Sequence, residues 1–265
     1  MKQSMASCIV LAALCGDLLL AQAPTTKLKT EIEGEPAFEV ATIKPSRPEE
    51  RLSIFVKGHQ FITTASSLYD LITFAYGLHA RQITNGPAWL ETEKYDVTAQ
   101  PGSEEQPKGE RLRVMVQKLL ADRFRLSFHR DKKELSAYTI AAGKDGIKMV
   151  QSSDPNVSPG VGFRGPGAMT VKSATISDFA GFLQRYVMDR PVVDQTHLAS
   201  KYDFTLNWTA NESQFEGRAF EPAQQTGDAA DLFTAIQEQL GLKLESAKVP
   251  VEVLVIDRVE KPSDN

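Results

Sequence analysis

The side chains able to do chemistry are few: four histidines, His59, His79, His129 and His197, and two pairs of aspartates, Asp70 with Asp178 and Asp96 with Asp203, at matching places in the chain. Two carboxylates facing each other across a twofold could share a proton or hold a metal. Asp70 and Asp178, however, each stand three residues after a hydroxyl, Ser67 and Thr175, which is the spacing of a helix-capping box. Asp96 and Asp203 fall on the polar side of strand patterns, beside lysines. No histidine has the H-E-x-x-H spacing of a zinc site, no G-x-S-x-G marks a hydrolase nucleophile, and no glycine-rich phosphate loop follows a strand. Gly160–Gly165 imitates a dinucleotide loop but is one residue short. The histidines therefore read as surface or capping residues, and the expectation is no catalytic residue, no metal and no cofactor.

Recognition is the other chemistry on offer. Lys94-Tyr95-Asp96 and Lys201-Tyr202-Asp203 could mark a binding surface through Lys94, Asp96, Lys201 and Asp203; the plainer reading packs each tyrosine inward and leaves its neighbours solvated. Trp89 reads as a core anchor rather than a sugar platform. The basic run Arg111, Arg113, Lys118, Arg123, Arg125 and Arg130 is interleaved with acids and reads as a solvated helix face. With 34 acidic and 30 basic residues in 265, nucleic acid is not an expected partner.

The elements that must position these residues form two copies of one unit. Phe61–Asp70 aligns with Met169–Asp178, Lys94–Val97 with Lys201–Phe204, and Val116–Leu120 with Ile236–Leu240, in the same order. Each unit reads strand, helix, strand, helix, strand, strand, and the fold class is α+β, with helices packed on a mixed or antiparallel sheet. The first helices start at the two capping boxes, and Leu68, Leu71, Ile72 and Ala75 follow at the spacing of one buried face. The second helices carry Leu112, Met115, Val116, Leu119 and Leu120, and Leu232, Ala235, Ile236 and Leu240, the latter closed by Gly241. Tyr202, Phe204, Leu206 and Trp208 alternate with polar residues as a half-buried strand. Val251–Ile256 reads as a central strand, and Arg125–His129 with Ala137–Ala142 as a hairpin connected by Arg130–Glu134. The expected divisions are a first unit at 37–150, a Gly/Pro linker at 151–167, a second unit at 168–260 and a tail at 261–265.

Residues 1–23 read as an export signal: Lys2, an apolar run from Cys8 to Leu14, and Ala21-Gln22-Ala23 as a cleavage pattern before a polar lead-in at 24–36. An uncleaved anchor is the alternative, but Asp17 divides the apolar stretch into runs far short of the roughly 20 residues of a spanning helix. Both cysteines, Cys8 and Cys15, fall in this segment, so an exported mature chain would hold no disulfide, thiolate metal site or cysteine nucleophile.

Phe38–Ser46, Asn85–Leu90, Tyr95–Val97, Leu119–Phe124, Arg190–Asp194, Lys201–Phe204, Gln239–Leu244 and Val253–Asp257 together resemble a Solibacter-type, Acidobacteria-expanded family of secreted bacterial proteins of unknown function. The resemblance implies export and supplies no catalytic residues; some members carry the domain behind a membrane metallopeptidase, whose motif is missing here. A looser similarity, through Arg190–Asp194 and Leu232–Leu244, is to the short N-terminal modules of secretins and TonB-dependent receptors. It implies protein docking in the envelope. The expected function is a non-enzymatic binding, sensory or docking module outside the cytoplasm. Its expected partner is an envelope or extracellular protein or peptide, received at a sheet edge or in an inter-unit groove. The membrane is touched only if the signal segment stays uncleaved. The alternative is a carboxylate- and histidine-dependent hydrolase, with His129 or His197 meeting an aspartate in a pocket.

Overall fold

A computed structural model describes residues 36–154, 156–165, 167–211, 214–215 and 229–262. The export segment at 1–23 and nearly all of the lead-in lie outside the described residues. Among those described, no helix is long and apolar enough to cross a membrane.

The first repeat opens with β1 (Phe38–Pro45), β2 (Ser53–Lys57) and β3 (Gln60–Ser67), and β3 runs directly into α1 (Leu68–Tyr76). The Ser67 hydroxyl accepts the Asp70 N–H at 3.1 Å, and the Asp70 carboxylate accepts the Ser67 N–H at 2.8 Å. Leu68, Leu71, Ile72 and Ala75 are buried on one helical face, and Gly77 ends the helix in the left-handed conformation. A two-residue β4 (Ile83–Thr84), a short α2 (Trp89–Thr92), β5 (Lys94–Pro101) and α3 (Gly109–Phe124) follow. β1, β5, β3 and β2 form an antiparallel sheet in that order.

The second repeat reproduces this plan with β8 (Gly160–Gly165), β9 (Ala168–Ala174), α4 (Ile176–Tyr186), β10 (Val192–Asp194), β11 (Tyr202–Asn207) and α5 (Leu232–Ala235), which continues as a π turn over Ile236–Leu240. Thr175 and Asp178 form the same capping box. The second sheet runs β7 (Val150–Gln151), β11, β9, β8, so the eight-residue β1 of the first sheet has a two-residue counterpart. Further along β11 a side chain does the pairing instead. The Asn207 N–H donates to the Gln239 amide oxygen at 3.0 Å, and the Gln239 amide nitrogen donates back to the Asn207 carbonyl at 2.7 Å.

Two long strands join the repeats, and here the structure corrects the expected hairpin. β6 (Ser127–Ala142) is continuous through Arg130–Glu134 and pairs antiparallel along its length with β12 (Leu242–Arg258). Arg130–Glu134 contains no glycine, proline or asparagine to turn the chain. It is charged because neither side of the ribbon is covered there. Short parallel strands flank the ribbon, β10 beside β6 and β4 beside β12, giving the order β10-β6-β12-β4. These two short strands also intervene between helix and strand within each repeat, a step the apolar pattern does not announce. A second correction concerns 151–167, expected as a linker: Gly160–Gly165 is β8, the edge partner of β9, with Val161 packed on the core.

A third correction is one of register. The second helices end at left-handed residues Arg125 and Gly241, which are 116 positions apart, whereas Val116 and Ile236 are 120 apart. At the smaller spacing Val116, Leu119, Leu120 and Phe124 fall on Leu232, Ala235, Ile236 and Leu240, and all eight are buried. The sequence match had slipped by about one helical turn.

Each repeat has its own core. Leu254 and Ile256, at one end of β12, complete the first; Leu242 and Leu244, at its other end, complete the second with Tyr138 and Ile140 of β6. Trp208 is buried in the second core, with its indole N–H donating to Gln214 at 2.9 Å. Trp89 is half-buried against the first core, under the Lys261 ammonium.

Candidate functional site: a cleft between the repeats

The repeated Lys-Tyr-Asp triplets are placed by a backbone irregularity. Ala65 in β3 and Ser173 in β9, 108 positions apart, both have positive φ, 50° and 47°, and both sheets shift register beside them. Such bulges leave an N–H without a ladder partner. The Asp96 carboxylate accepts the Ala65 N–H at 2.9 Å, and the Asp203 carboxylate accepts the Ser173 N–H at 2.8 Å. That bond, with the Lys172 ammonium, holds Asp203 below the usual carboxylate range. Lys94 lies 3.6 Å from Asp70, and Lys201 donates to the Val157 carbonyl at 3.1 Å. Lys94, Asp96, Lys201 and Asp203 are thus engaged with their own repeat, and none lines either of the two cavities described here. Asp96→Ala, which strands the Ala65 N–H, is expected to lower stability in urea unfolding by about 2 kcal/mol. Asp96→Asn keeps an acceptor and should cost less than half of that.

The histidines do not converge. His59 lies 3.6 Å from Glu104. His129 meets Asp257 at 2.8 Å, both exposed and outside both cavities. His197 stands at positive φ in its loop. Of the four, His79 alone lines one of the two cavities described here. Its Nδ1 accepts the Arg81 N–H at 3.1 Å, capping the 3₁₀ turn Ala80–Gln82. Burial, then the Arg81 charge, lowers its pKa to about 4, so it is neutral at pH 7. Through Nδ1 the ring serves the start of that turn.

A smaller cavity of about 380 Å³ lies between α4, β10 and the Pro250–Glu252 part of β12. The larger, of about 600 Å³, opens between the repeats. The first repeat contributes Leu52, Ile54, Tyr69, Asp70, Thr73, Phe74, Leu78 and His79; the second contributes Phe163, Gln184, Arg185, Tyr186, Met188, Asp189 and Phe215. Gln184 ties the two sides together, donating to the Gly77 carbonyl at 2.8 Å and accepting the Val192 N–H at 3.2 Å.

Two aromatic series end in this cleft. Phe38, Phe61 and Phe74 stack successively at 5.8 and 5.6 Å on one side. On the other, Tyr186, Phe182, Phe163, Phe215 and Trp208 follow one another at 4.7, 5.1, 5.5 and 6.3 Å. Phe163 and Tyr186 remain 39% and 43% exposed, so rings otherwise suited to a core meet water here. Asp189 is matched rather than free. Burial pushes its carboxyl up, but hydrogen bonds from Tyr138 at 3.1 Å and from Arg190 at 3.1 Å outweigh this and hold it below the usual range. Arg190 also reaches Ser136, Ser246 and the Tyr138 hydroxyl.

Sequence reasoning missed the aromatic wall. Phe163 falls in the stretch 151–167 expected as a linker, and the sequence pattern singles out neither Phe182 nor Tyr186. Their i, i+4 spacing on α4, off the face formed by Ile176, Phe179, Ala180 and Leu183, was the available signal.

Comparison with curated proteins gives no match, and comparison with solved structures gives none. A family described as "Protein of unknown function (DUF3738)" matches residues 69–259, from the first turn of α1 to just past the end of β12. The match therefore takes in both helix pairs, the ribbon that joins the repeats and nearly the whole cleft, and the chain belongs to this family.

Proposed function

We propose that this chain is an exported, non-enzymatic binding module of the bacterial cell envelope, of the soil-bacterial type its sequence resembles, and that its ligand occupies the cleft between the repeats. The observation that supports this reading is the cleft itself: about 600 Å³, walled by aromatic side chains from both repeats, with Phe163 and Tyr186 left part-exposed. A concave, largely apolar site of this size is what small ligands occupy. The edge strands β2 and β8 both contribute side chains to it. The export pattern at 1–23 would deliver the module outside the cytoplasm.

The test is titration of the full chain with the uncharged fluorophore N-phenyl-1-naphthylamine. Saturable, blue-shifted binding of one molecule per chain is expected, weakened about tenfold, or about 1.4 kcal/mol, by Phe163→Asp or Tyr186→Asp. Val150→Asp, at an exposed position on β7 away from the cleft, should leave it unchanged. Non-saturable binding, or equal sensitivity to all three substitutions, overturns the proposal.

A further inference from the structure

We infer that the cleft selects an organic anion, a small aromatic or branched apolar body bearing one carboxylate or sulfonate, and that Arg185 is the residue that recognises it. This rests on the cleft being the binding site.

Arg185 stands in the last turn of α4 and lines the cleft beside Tyr186. Its Nε donates to the Gly181 carbonyl at 3.2 Å, and its guanidinium carbon lies 5.2 Å from the centre of the Tyr186 ring. Its other N–H groups have no hydrogen-bond partner among the described residues, and it forms no ion pair there. Burial disfavours its charge, and Arg113 nearby adds to the effect.

The carboxylates in the same cleft offer no relief. Asp70 serves the α1 capping box and faces Lys94, while Asp189 is held by Arg190 and Tyr138. Arg81, at the His79 turn, adds positive charge and forms no ion pair among the described residues. The cleft therefore carries matched acids and an unmatched cation. A guanidinium partly withdrawn from water and lacking a counter-ion is costly, and an incoming carboxylate or sulfonate relieves that cost through paired N–H bonds. His79, neutral at pH 7 and with its Nδ1 taken by the Arg81 N–H, adds no charge to the cleft, and the rings of Phe74, Phe163 and Tyr186 provide flat apolar surface for the rest of the molecule.

The test compares 8-anilinonaphthalene-1-sulfonate with N-phenyl-1-naphthylamine, which shares its ring system but lacks the sulfonate. On the full chain the sulfonate is expected to bind about tenfold or more tighter, and its advantage should shrink as salt is raised. Arg185→Met should bring the two affinities to within about twofold of each other, the sulfonate losing far more affinity than the uncharged probe. Arg185→Lys should retain part of the preference. Should Arg185→Met fail to fold, competition on the unaltered chain decides: 1-naphthoate must displace the uncharged probe at a concentration about tenfold lower than 1-naphthalenemethanol does. Equal affinity for the two fluorophores, or a preference that survives in Arg185→Met, overturns the assignment of charge and leaves the cleft reading standing. Failure of both probes to bind overturns the cleft reading itself.

Discussion

Replacing Gly241 with alanine is expected to destabilise the protein by roughly 3–5 kcal/mol, well beyond the ordinary cost of an unfavourable φ. Gly241 closes the π turn at φ 68° and hands the chain directly to β12. A Cβ built there would lie 1.9 Å from the Gly146 carbonyl oxygen and 3.1 Å from the Ile147 Cα, both backbone atoms that cannot rotate away. The approach is mutual, since a Cβ on Gly143 would meet the Gly241 oxygen at 2.6 Å. The 143–148 loop is fastened to the turn by Gly143 N–H donating to the Gly241 oxygen at 2.8 Å and Lys148 N–H to the Leu240 oxygen at 3.0 Å. Making room for a methyl group separates these pairs, at about 1 kcal/mol each, in addition to about 1 kcal/mol for the left-handed residue. Gly58 provides the control: φ is 61°, but nothing lies within 4 Å of its would-be Cβ, so Gly58→Ala should cost only about 1 kcal/mol. Gly241→Asn, which tolerates the left-handed region, should not recover the loss. Urea midpoints for the three variants check this, and a Gly241→Ala cost no larger than that of Gly58→Ala would contradict it.

Sequence periodicity made the repeated parts of the fold legible. Ser67 and Thr175 could be placed at helix starts because a hydroxyl three residues before an acid satisfies two otherwise free N–H groups, a purely local signal. The buried faces of α1 and α3 were visible for the same reason. The ribbon was not, because Arg130–Glu134 is exposed on both sides and so lacks the alternation by which half-buried strands are recognised. The role of Asp96 and Asp203 was hidden differently. Their side chains serve bulges about thirty residues away in sequence, at Ala65 and Ser173, neither of which is a glycine that would announce a positive φ. The cleft was the least legible feature. Its wall combines residues from β2, α1, β8 and α4 with Phe215, brought together by the pairing of β6 with β12 and by Gln184 bonding Gly77. Arg185 carried no motif; its significance lies in having no counter-ion among the described residues, which no one-dimensional pattern records.

Lowering the pH from 7 to 4.5 is expected to remove about 2 kcal/mol of stability through His79 alone. An unfolded histidine titrates near 6.5, whereas folded His79 does so at about 4. Between these values the unfolded chain binds a proton that the folded chain refuses, so acid favours unfolding. The contribution is fully present above pH 6.5, declines as pH falls through the window and is gone below about 4. The full difference would be about 3 kcal/mol, reduced here because the ring borders an open cleft and is partly screened by water. His79→Asn isolates the effect. Asparagine can still accept the Arg81 N–H at the start of the 3₁₀ turn but has no proton to gain. Its stability should stay level between pH 6.5 and 4.5 where that of the unaltered chain falls. The depressed carboxylates, Asp189 and Asp203 among them, act lower, because their contribution is present above about pH 4 and lost as pH falls further. Urea midpoints at half-unit steps separate the two regimes. A variant that keeps the slope of the unaltered chain between 6.5 and 4.5 would show that the slope does not come from His79 and that its ring takes up a proton in the fold as readily as in the unfolded chain.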